Sequence, residues 1–254
     1  MDLFSLAGRT ALVTGASRGI GQAIAVGMAW AGADVIAVSR NARSLDETVA
    51  EIEKAGRSCH AMAADVSDKS AVDSLFGQIE QAGLSPDILL NNAGIEDVRA
   101  SADVEEALWD KIVDTNLKGA FFVAQGFARP LLAVGKTGSI INTASLTSEV
   151  GVPTATPYTA SKSGLVGMTR ALSTEWSPQG IRVNAIGPGY FRTELTEAFY
   201  QDESWQQAML GKIPMGRFGH LEDLVGASVF LASGASAYVT GQVIYVDGGY
   251  LASI

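Results

Sequence analysis

The chain has 254 residues, 47% of them hydrophobic and 18% charged, which supplies a folded core and argues against intrinsic disorder. Its net charge of −9 argues against nucleic acid as a partner, because a non-specific nucleic-acid binder presents a basic face. The single Cys59 excludes an intramolecular disulfide framework, and the widely separated His60 and His220 predict no metal site.

Short β-branched runs alternate with longer helical patterns along the chain. The predicted strands are 10–14, 35–39, 58–63, 87–91, 139–143, 181–186 and 243–246. The predicted helices are 20–31, 45–55, 69–82, 104–117, 120–134, 157–176 and 221–231, and a polar, helix-compatible segment covers 193–211. This alternation predicts an α/β fold, with a doubly wound parallel sheet of about seven strands flanked by helices. The early strands are apolar almost throughout, which predicts that helices cover both of their faces.

The same pattern predicts one domain, 1–254, which includes a substrate loop at 190–215. The uncharged stretch 224–246 is interrupted by Ser-Gly and Thr-Gly pairs, so it is interpreted as a helix, a loop and a strand rather than a membrane span. The start of the chain, Met1-Asp2-Leu3-Phe4, lacks the basic and apolar regions of a signal peptide. We therefore expect a cytoplasmic protein with no membrane partner.

A glycine-rich turn, 14–21, follows the first predicted strand and reads Thr-Gly-Ala-Ser-Arg-Gly-Ile-Gly. Glycine permits a tight turn and a close approach of backbone to ligand, and the following helix offers unpaired N–H groups to a diphosphate. A turn that merely joins strand to helix is the alternative. The position after the first strand of a βαβ unit favours a dinucleotide site on a Rossmann fold. Its predicted residues are Gly15, Ser17, Arg18, Gly19, Ile20 and Gly21.

The second strand ends in Ser39-Arg40, with no acidic residue before Asp46. An acidic residue at this point would bind the ribose 2′-hydroxyl of NAD, whereas an arginine can donate to the 2′-phosphate of NADP. Arg18 and Arg40 could each be only a solvated surface charge. Together they favour NADP (NADPH) as the cofactor, with NAD still possible.

An ordered set of motifs follows further along the chain: Asn91-Asn92-Ala93-Gly94, Asn116, Ser145, Tyr158-x-x-x-Lys162 and Pro188-Gly189. With the glycine turn, these motifs resemble the short-chain dehydrogenase/reductase family over essentially the whole chain. The resemblance implies a nicotinamide-dependent oxidoreductase and a homotetramer. It also implies the following cofactor contacts: Asp65 and Val66 beside the adenine; Asn92, Ala93 and Gly94 along the cleft; and Pro188, Gly189, Phe191 and Thr193 around the nicotinamide. Taken alone, Asp65 would fit a helix start and the paired asparagines a turn.

Tyr158 and Lys162 lie four residues apart on one predicted helix and therefore share a face. A phenol has an ordinary pKa of about 10, and we expect the neighbouring ammonium to lower it. Such pairs are also common on helix surfaces. Ser145 follows the fifth strand, where its hydroxyl could orient a carbonyl group. The resemblance implies that Tyr158 exchanges a proton with the substrate oxygen, that Lys162 also holds the nicotinamide ribose, and that Asn116 positions a proton-relay water.

The chain resembles most closely the sugar-acid branch of that family, the 2-dehydro-3-deoxy-gluconate 5-dehydrogenases, also called 2-deoxy-gluconate 3-dehydrogenases. The shared segments include Phe4-Ser5-Leu6-x-Gly8 and 246–249. That branch often carries arginines just after Asn-Asn-Ala-Gly, but here Glu96-Asp97 occupy the segment. The cations that could receive an acid group are Arg99, Arg192 and Lys212, each of which could also be a surface charge.

We therefore expect an NADP-preferring oxidoreductase acting on a small keto-sugar, sugar acid or polyol. One alternative is a 3-oxoacyl-carrier-protein reductase, which would need a basic patch for its acidic carrier. The other is a non-catalytic nucleotide sensor on the same fold, although both the tyrosine and the lysine of the motif are present.

Overall fold

The computed structural model describes residues 3–192 and 199–254, and within them a single parallel sheet forms the centre of the molecule. Its strands are β1 (Thr10–Thr14), β2 (Asp34–Ser39), β3 (Cys59–Ala63), β4 (Ile88–Asn91), β5 (Gly138–Thr143), β6 (Ile181–Pro188) and β7 (Val243–Val246). Their order across the sheet is β3-β2-β1-β4-β5-β6-β7, and every pairing is parallel. This order confirms the predicted doubly wound Rossmann fold.

Helices pack on both faces of the sheet. They are α1 (Gly19–Trp30), α2 (Asp46–Lys54), α3 (Lys69–Gln81), α4 (Glu106–Val113), α5 (Ala120–Val134), α6 (Thr156–Trp176), α7 (Glu203–Leu210) and α8 (Asp223–Ala232). Ala11 and Val13 of β1 belong to the core shared with α1 and α8, while Leu12 belongs to the core shared with α3 and α5. The two cores therefore lie on opposite faces of the sheet. None of the described helices is both long and apolar enough to cross a membrane.

Strand β3 differs from the expectation that helices cover both faces of the early strands. Among the strands of the described residues it pairs with β2 alone, so it forms an edge of the sheet, and three of its five residues are exposed. An edge strand is bordered by solvent, which explains why β3 departs from the burial of its neighbours.

The segment 104–134 also differs from the prediction of two separate helices. Helix α4 ends at Val113, and a π-helical turn, Asp114–Gly119, joins it directly to α5. Gly119 lies against the β3–α3 loop, where a Cβ atom would stand 2.5 Å from the carbonyl oxygen of Val66. The π-turn thus brings the helix backbone close to a neighbouring loop.

The direction of winding reverses at β1, which has β2 on one side and β4 on the other. Open α/β sheets bind their ligands in the crevice outside the carboxyl ends of the strands at such a point. The glycine turn, the loop after β4 and the loop after β5 all begin at this edge.

Candidate active site

The turn after β1 is locked to the loop after β4 by side-chain hydrogen bonds. The hydroxyl of Thr14 accepts from the backbone N–H groups of Asn92 and Ala93, both at 3.1 Å. The amide Nδ2 of Asn92 donates to the carbonyl oxygens of Thr14 and Gly15, both at 3.2 Å. Gly15 has a left-handed backbone with φ of +66°, and a Cβ atom there would lie 2.9 Å from the Cα of Ala93. Only glycine fits this position without strain.

Helix α1 begins at Gly19, at the end of this turn. Its N-cap, Arg18, has an extended backbone, and its side chain makes no capping hydrogen bond. The first N–H groups of any α-helix have no partner within the helix, and together with the helix dipole they attract an anion. Gly21 is buried, and a side chain there would overlap the carbonyl oxygen of Gly15 and the amide of Asn92. Ser17 is half-buried, and Ile20 packs against the core.

A cluster of polar side chains stands at the carboxyl end of β2. The hydroxyl of Ser39 lies 2.8 Å from the carbonyl oxygen of Asn41 and 3.0 Å from the hydroxyl of Ser44, and Arg40 beside it is exposed. The first carboxylate after the strand is that of Asp46, which begins α2. Sequence reasoning did not identify Ser44, because the tight turn that returns it to the strand end has no motif.

The loop after β3 lies next to this cluster, because the N–H of Ala64 donates to the carbonyl oxygen of Ser39 at 2.9 Å. Val66 is buried in the core. The carboxylate of Asp65 accepts from the N–H of Ser67 at 2.9 Å and from its hydroxyl at 2.7 Å. The carboxylate of Asp65 therefore stabilises the turn that leads from β3 to α3.

The structure brings the predicted catalytic residues together at the carboxyl ends of β4 and β5. Lys162 of α6 is 4% exposed, and its Nζ donates to the carbonyl oxygen of Thr143 at 2.7 Å. The same Nζ lies 5.5 Å from the ring centroid of Tyr158. A Cβ on Gly94 would stand 3.6 Å from this Nζ. Ser145, just beyond β5, is also buried.

Asn116 lies in the π-turn between α4 and α5 and is 1% exposed. Its Oδ1 accepts from the N–H of Ile95 at 2.8 Å, and its Nδ2 donates to the carbonyl oxygen of Ile95 at 2.9 Å. The same Nδ2 lies 3.2 Å from the hydroxyl of Ser161 on α6. Asn116 therefore holds the backbone that follows Gly94 against the helix that carries Tyr158 and Lys162.

The expected lowering of the phenol pKa is wrong for this site. Burial raises the pKa of Tyr158, the negative charge of Glu96 raises it further, and a hydrogen bond from Ser145 lowers it. Burial also lowers the pKa of Lys162 to about 8, against the opposing effect of Glu96. Desolvation disfavours the charged form of each group, and for Lys162 it outweighs the attraction of Glu96.

The residues predicted to surround the nicotinamide lie at and beyond the end of β6. Pro188 is buried. A Cβ atom on Gly189 would lie 2.6 Å from the Cα of Asp247, so the segments after β6 and β7 approach each other closely. The ring of Phe191 is buried in the core against Gly219. Thr193 lies outside the described residues.

The three cations considered for an acid group, Arg99, Arg192 and Lys212, are all exposed. Arg99 pairs with Asp97 at 3.6 Å. Glu96, by contrast, is half-buried, and its charge acts on both Tyr158 and Lys162. Sequence reasoning did not include Glu96 in the site, because nothing in the pattern shows which of the two adjacent acids turns inward.

An aromatic cluster stands near these groups, formed by Tyr190, Tyr200, Trp205, Phe218 and Tyr250. Tyr190 joins two of its members, with ring centroids 5.6 Å from Trp205 and 5.3 Å from Tyr250. The pKa of Tyr190 is raised by burial, by its aromatic neighbours and by Glu96. The members are spread over 61 positions of the chain (from 190 to 250), so no sequence spacing predicts the cluster.

The chain is similar to known proteins in both sequence and fold. A family model described as enoyl-(acyl carrier protein) reductase matches residues 15–251. A gluconate 5-dehydrogenase of Gluconobacter oxydans is 43% identical over 253 residues, covering 100% of this chain and 98% of the relative.

Two solved structures share the fold closely. One, from Sinorhizobium meliloti and described as a short-chain alcohol dehydrogenase, is 59% identical, with a TM-score of 0.96 over 99% of this chain and 100% of the other. The second, from Agrobacterium tumefaciens and described as a 2-deoxy-D-gluconate 3-dehydrogenase with bound NADP, is 48% identical, with a TM-score of 0.93 over the same shares.

Proposed function

This chain belongs to the short-chain dehydrogenase/reductase family and is a nicotinamide-dependent oxidoreductase of CH–OH groups, and we propose that it is an NADP-preferring reductase of small keto-sugars or sugar acids, or a dehydrogenase of the matching polyols. The observation that carries the proposal is the half-buried Tyr158 next to the buried Lys162, beside the buried Ser145 and Asn116. The substrate class is supported by the gluconate and deoxygluconate dehydrogenases that the chain resembles.

The residues at the strand ends fit a dinucleotide. Gly15 and Gly21 leave room where a side chain would overlap backbone, and the start of α1 offers N–H groups to a diphosphate. Ser39, Ser44 and Arg40 offer hydroxyls and a guanidinium where the adenosine ribose would lie, which supports NADP over NAD. NADP bound to a relative with 48% identity is consistent with this assignment.

We propose the remaining cofactor contacts from the positions of these residues around the same cleft. Nζ of Lys162 donates one hydrogen bond to Thr143 and makes no further hydrogen bond to the described residues. An ammonium group has three N–H donors, so two remain for a ribose. We assign Asp65 and Val66 to the adenine end, and Pro188, Gly189, Phe191 and Thr193 to the nicotinamide end.

When bound, the nicotinamide supplies the hydride for carbonyl reduction or takes it up in the reverse reaction. Because burial raises its pKa, Tyr158 is protonated at neutral pH and can donate its proton to the carbonyl oxygen. Ser145 donates to the same oxygen and orients the carbonyl group, and the Lys162 ammonium stabilises the phenolate that remains. Asn116 holds the loop after Gly94 in place, and we assign it the positioning of a proton-relay water.

The test is NADPH oxidation at pH 7 against a panel of keto-sugars, keto-acids and acetoacetyl thioesters, repeated with NADH. We expect turnover of at least one keto-sugar or sugar acid, with NADPH preferred. The variant Tyr158→Phe keeps the ring and removes the proton donor, so it should abolish turnover while leaving the Kd for NADPH nearly unchanged. Full turnover by Tyr158→Phe would show that Tyr158 is not the proton donor.

The same panel separates the alternatives. A 3-oxoacyl-carrier-protein reductase would prefer the acetoacetyl thioester, but the net charge of −9 does not suit an acidic carrier protein. A nucleotide sensor would bind NADPH and reduce nothing on the panel.

We further propose a cytoplasmic homotetramer in which the single domain 1–254 carries both the cofactor site and a substrate loop at 190–215. Light scattering of the purified protein tests the assembly, and a stable monomer would refute it. Fractionation of the producing cells tests the location.

A further inference from the structure

The backbone that carries Glu96 is held at both ends beside the catalytic residues. On one side, Asn116 makes two hydrogen bonds to Ile95. On the other, the N–H of Arg99 donates to the carbonyl oxygen of Thr154 at 2.8 Å, in the loop before α6. Thr154 has a left-handed backbone with φ of +67°, which is unusual for a residue other than glycine. The segment between these anchors therefore has a defined path along the cleft.

The two adjacent acids of this segment lie in different environments. Asp97 is exposed and pairs with Arg99. Glu96 is half-buried, and within the described ranges its carboxylate makes no hydrogen bond or ion pair. Burying a carboxylate without hydrogen-bond donors is unfavourable. A bound ligand with hydroxyl groups would supply the donors that the protein does not.

The groups that surround Glu96 are those of the substrate cleft. Gly94, two residues before Glu96, lies where a Cβ atom would stand 3.6 Å from Nζ of Lys162. The charge of Glu96 acts on Tyr158 and Lys162 of α6 and on Tyr190 just beyond β6. Lys162 is the cation of this group, and its ammonium is already held by Thr143. A substrate placed against Tyr158 thus meets a carboxylate and aromatic rings, with its own hydroxyl groups available as donors.

We propose that Glu96 determines which substrates are accepted: its carboxylate accepts hydrogen bonds from substrate hydroxyl groups and repels a substrate carboxylate at the same place. The preferred substrate is accordingly a neutral keto-sugar or polyol rather than a sugar acid. This inference rests on the proposed function and narrows its substrate class. A hydroxyl donor forms a strong charge-assisted hydrogen bond with a carboxylate, whereas a second carboxylate brought beside it in a partly desolvated site is repelled.

The experiment compares two substrates that differ in one group, 5-keto-D-gluconate and its neutral analogue with CH2OH in place of the carboxylate. The value of kcat/KM is measured for each with NADPH in the wild type, Glu96→Gln, Glu96→Arg and Asp97→Asn. We expect the wild type to prefer the neutral analogue by about tenfold or more, Glu96→Gln to reduce that preference about tenfold, and Glu96→Arg to reverse it. The matched control Asp97→Asn removes the neighbouring exposed charge and should leave the ratio unchanged.

The Kd for NADPH and the melting temperature of each variant show that fold and cofactor site persist. A wild-type preference for the acid, or a ratio that neither Glu96 variant changes, would overturn this inference while leaving the proposed oxidoreductase intact. A wild type that reduces no carbonyl compound on the panel would overturn the proposed function, and the inference with it.

Discussion

Substitution of Gly15 by alanine tests whether the glycine turn is shaped for the cofactor or only joins strand to helix. The left-handed backbone costs a residue with a side chain about 1–2 kcal/mol. The new methyl group would also lie 2.9 Å from both the Cα of Ala93 and the Nδ2 of Asn92. Overpacking against backbone costs a further 1–3 kcal/mol or so. The expected destabilisation is therefore about 2–5 kcal/mol.

Gly83 provides a matched control, because it separates the two contributions. Its φ of +67° equals that of Gly15 within a degree, yet a Cβ there would have nothing within 4 Å. Gly83→Ala should therefore show the conformational cost alone, about 1–2 kcal/mol. In a chain of this size, 1 kcal/mol corresponds to a shift of about 2–4 °C in melting temperature.

The assay is thermal unfolding of both variants, together with NADPH binding followed by nicotinamide fluorescence. Gly15→Ala should melt clearly below Gly83→Ala and should raise the Kd for NADPH at least about tenfold, since about 1.4 kcal/mol of lost contact suffices. Gly83→Ala should leave the Kd unchanged. Equal melting temperatures and equal Kd values for NADPH in the two variants would show that the turn at Gly15 does not contact the cofactor closely.

Three further substitutions and one change of condition, a rise in pH, test other parts of the site. Arg40→Ala should raise the KM for NADPH about tenfold or more while barely changing that for NADH, with Lys54→Ala on α2 as control; equal changes would reject a 2′-phosphate contact. Asn116→Ala leaves the N–H and carbonyl groups of Ile95 unpaired, so urea unfolding should show a loss of about 1–3 kcal/mol, and a loss below about 0.5 would contradict the clamp. Because burial lowers the pKa of Lys162 to about 8, its ammonium is lost as pH rises through that value, and kcat/KM for reduction should fall there. Glu96→Gln removes the charge that raises this pKa, so the falling limb should move to lower pH; an unmoved limb would refute the coupling.

The strand positions could be predicted because buried parallel strands are short apolar runs between glycine and polar turns, as in β1 and β4. The pairing of Tyr158 with Lys162 could be predicted because a spacing of four places both on one helix face. The pKa of Tyr158 could not, since it depends on how much protein surrounds the phenol, and burial here reverses the expected direction. The inward turn of Glu96 is set by the anchors at Ile95 and Thr154, which are contacts between distant parts of the chain.

The π-helical turn at 114–119 changes the rotational phase of one long helical rod. Each residue of an α-helix corresponds to about 100° of rotation, and a π-turn contains one residue more than an α-turn. The apolar faces of α4 and α5 therefore point in different directions. Before the turn, α4 packs against α6; after it, α5 packs against α3 and the sheet. Deleting one residue within 114–119 would restore regular helical geometry and yet swing Asn116 away from Ile95. At this position a regular helix and the clamp that Asn116 forms on Ile95 therefore make opposite demands on the sequence.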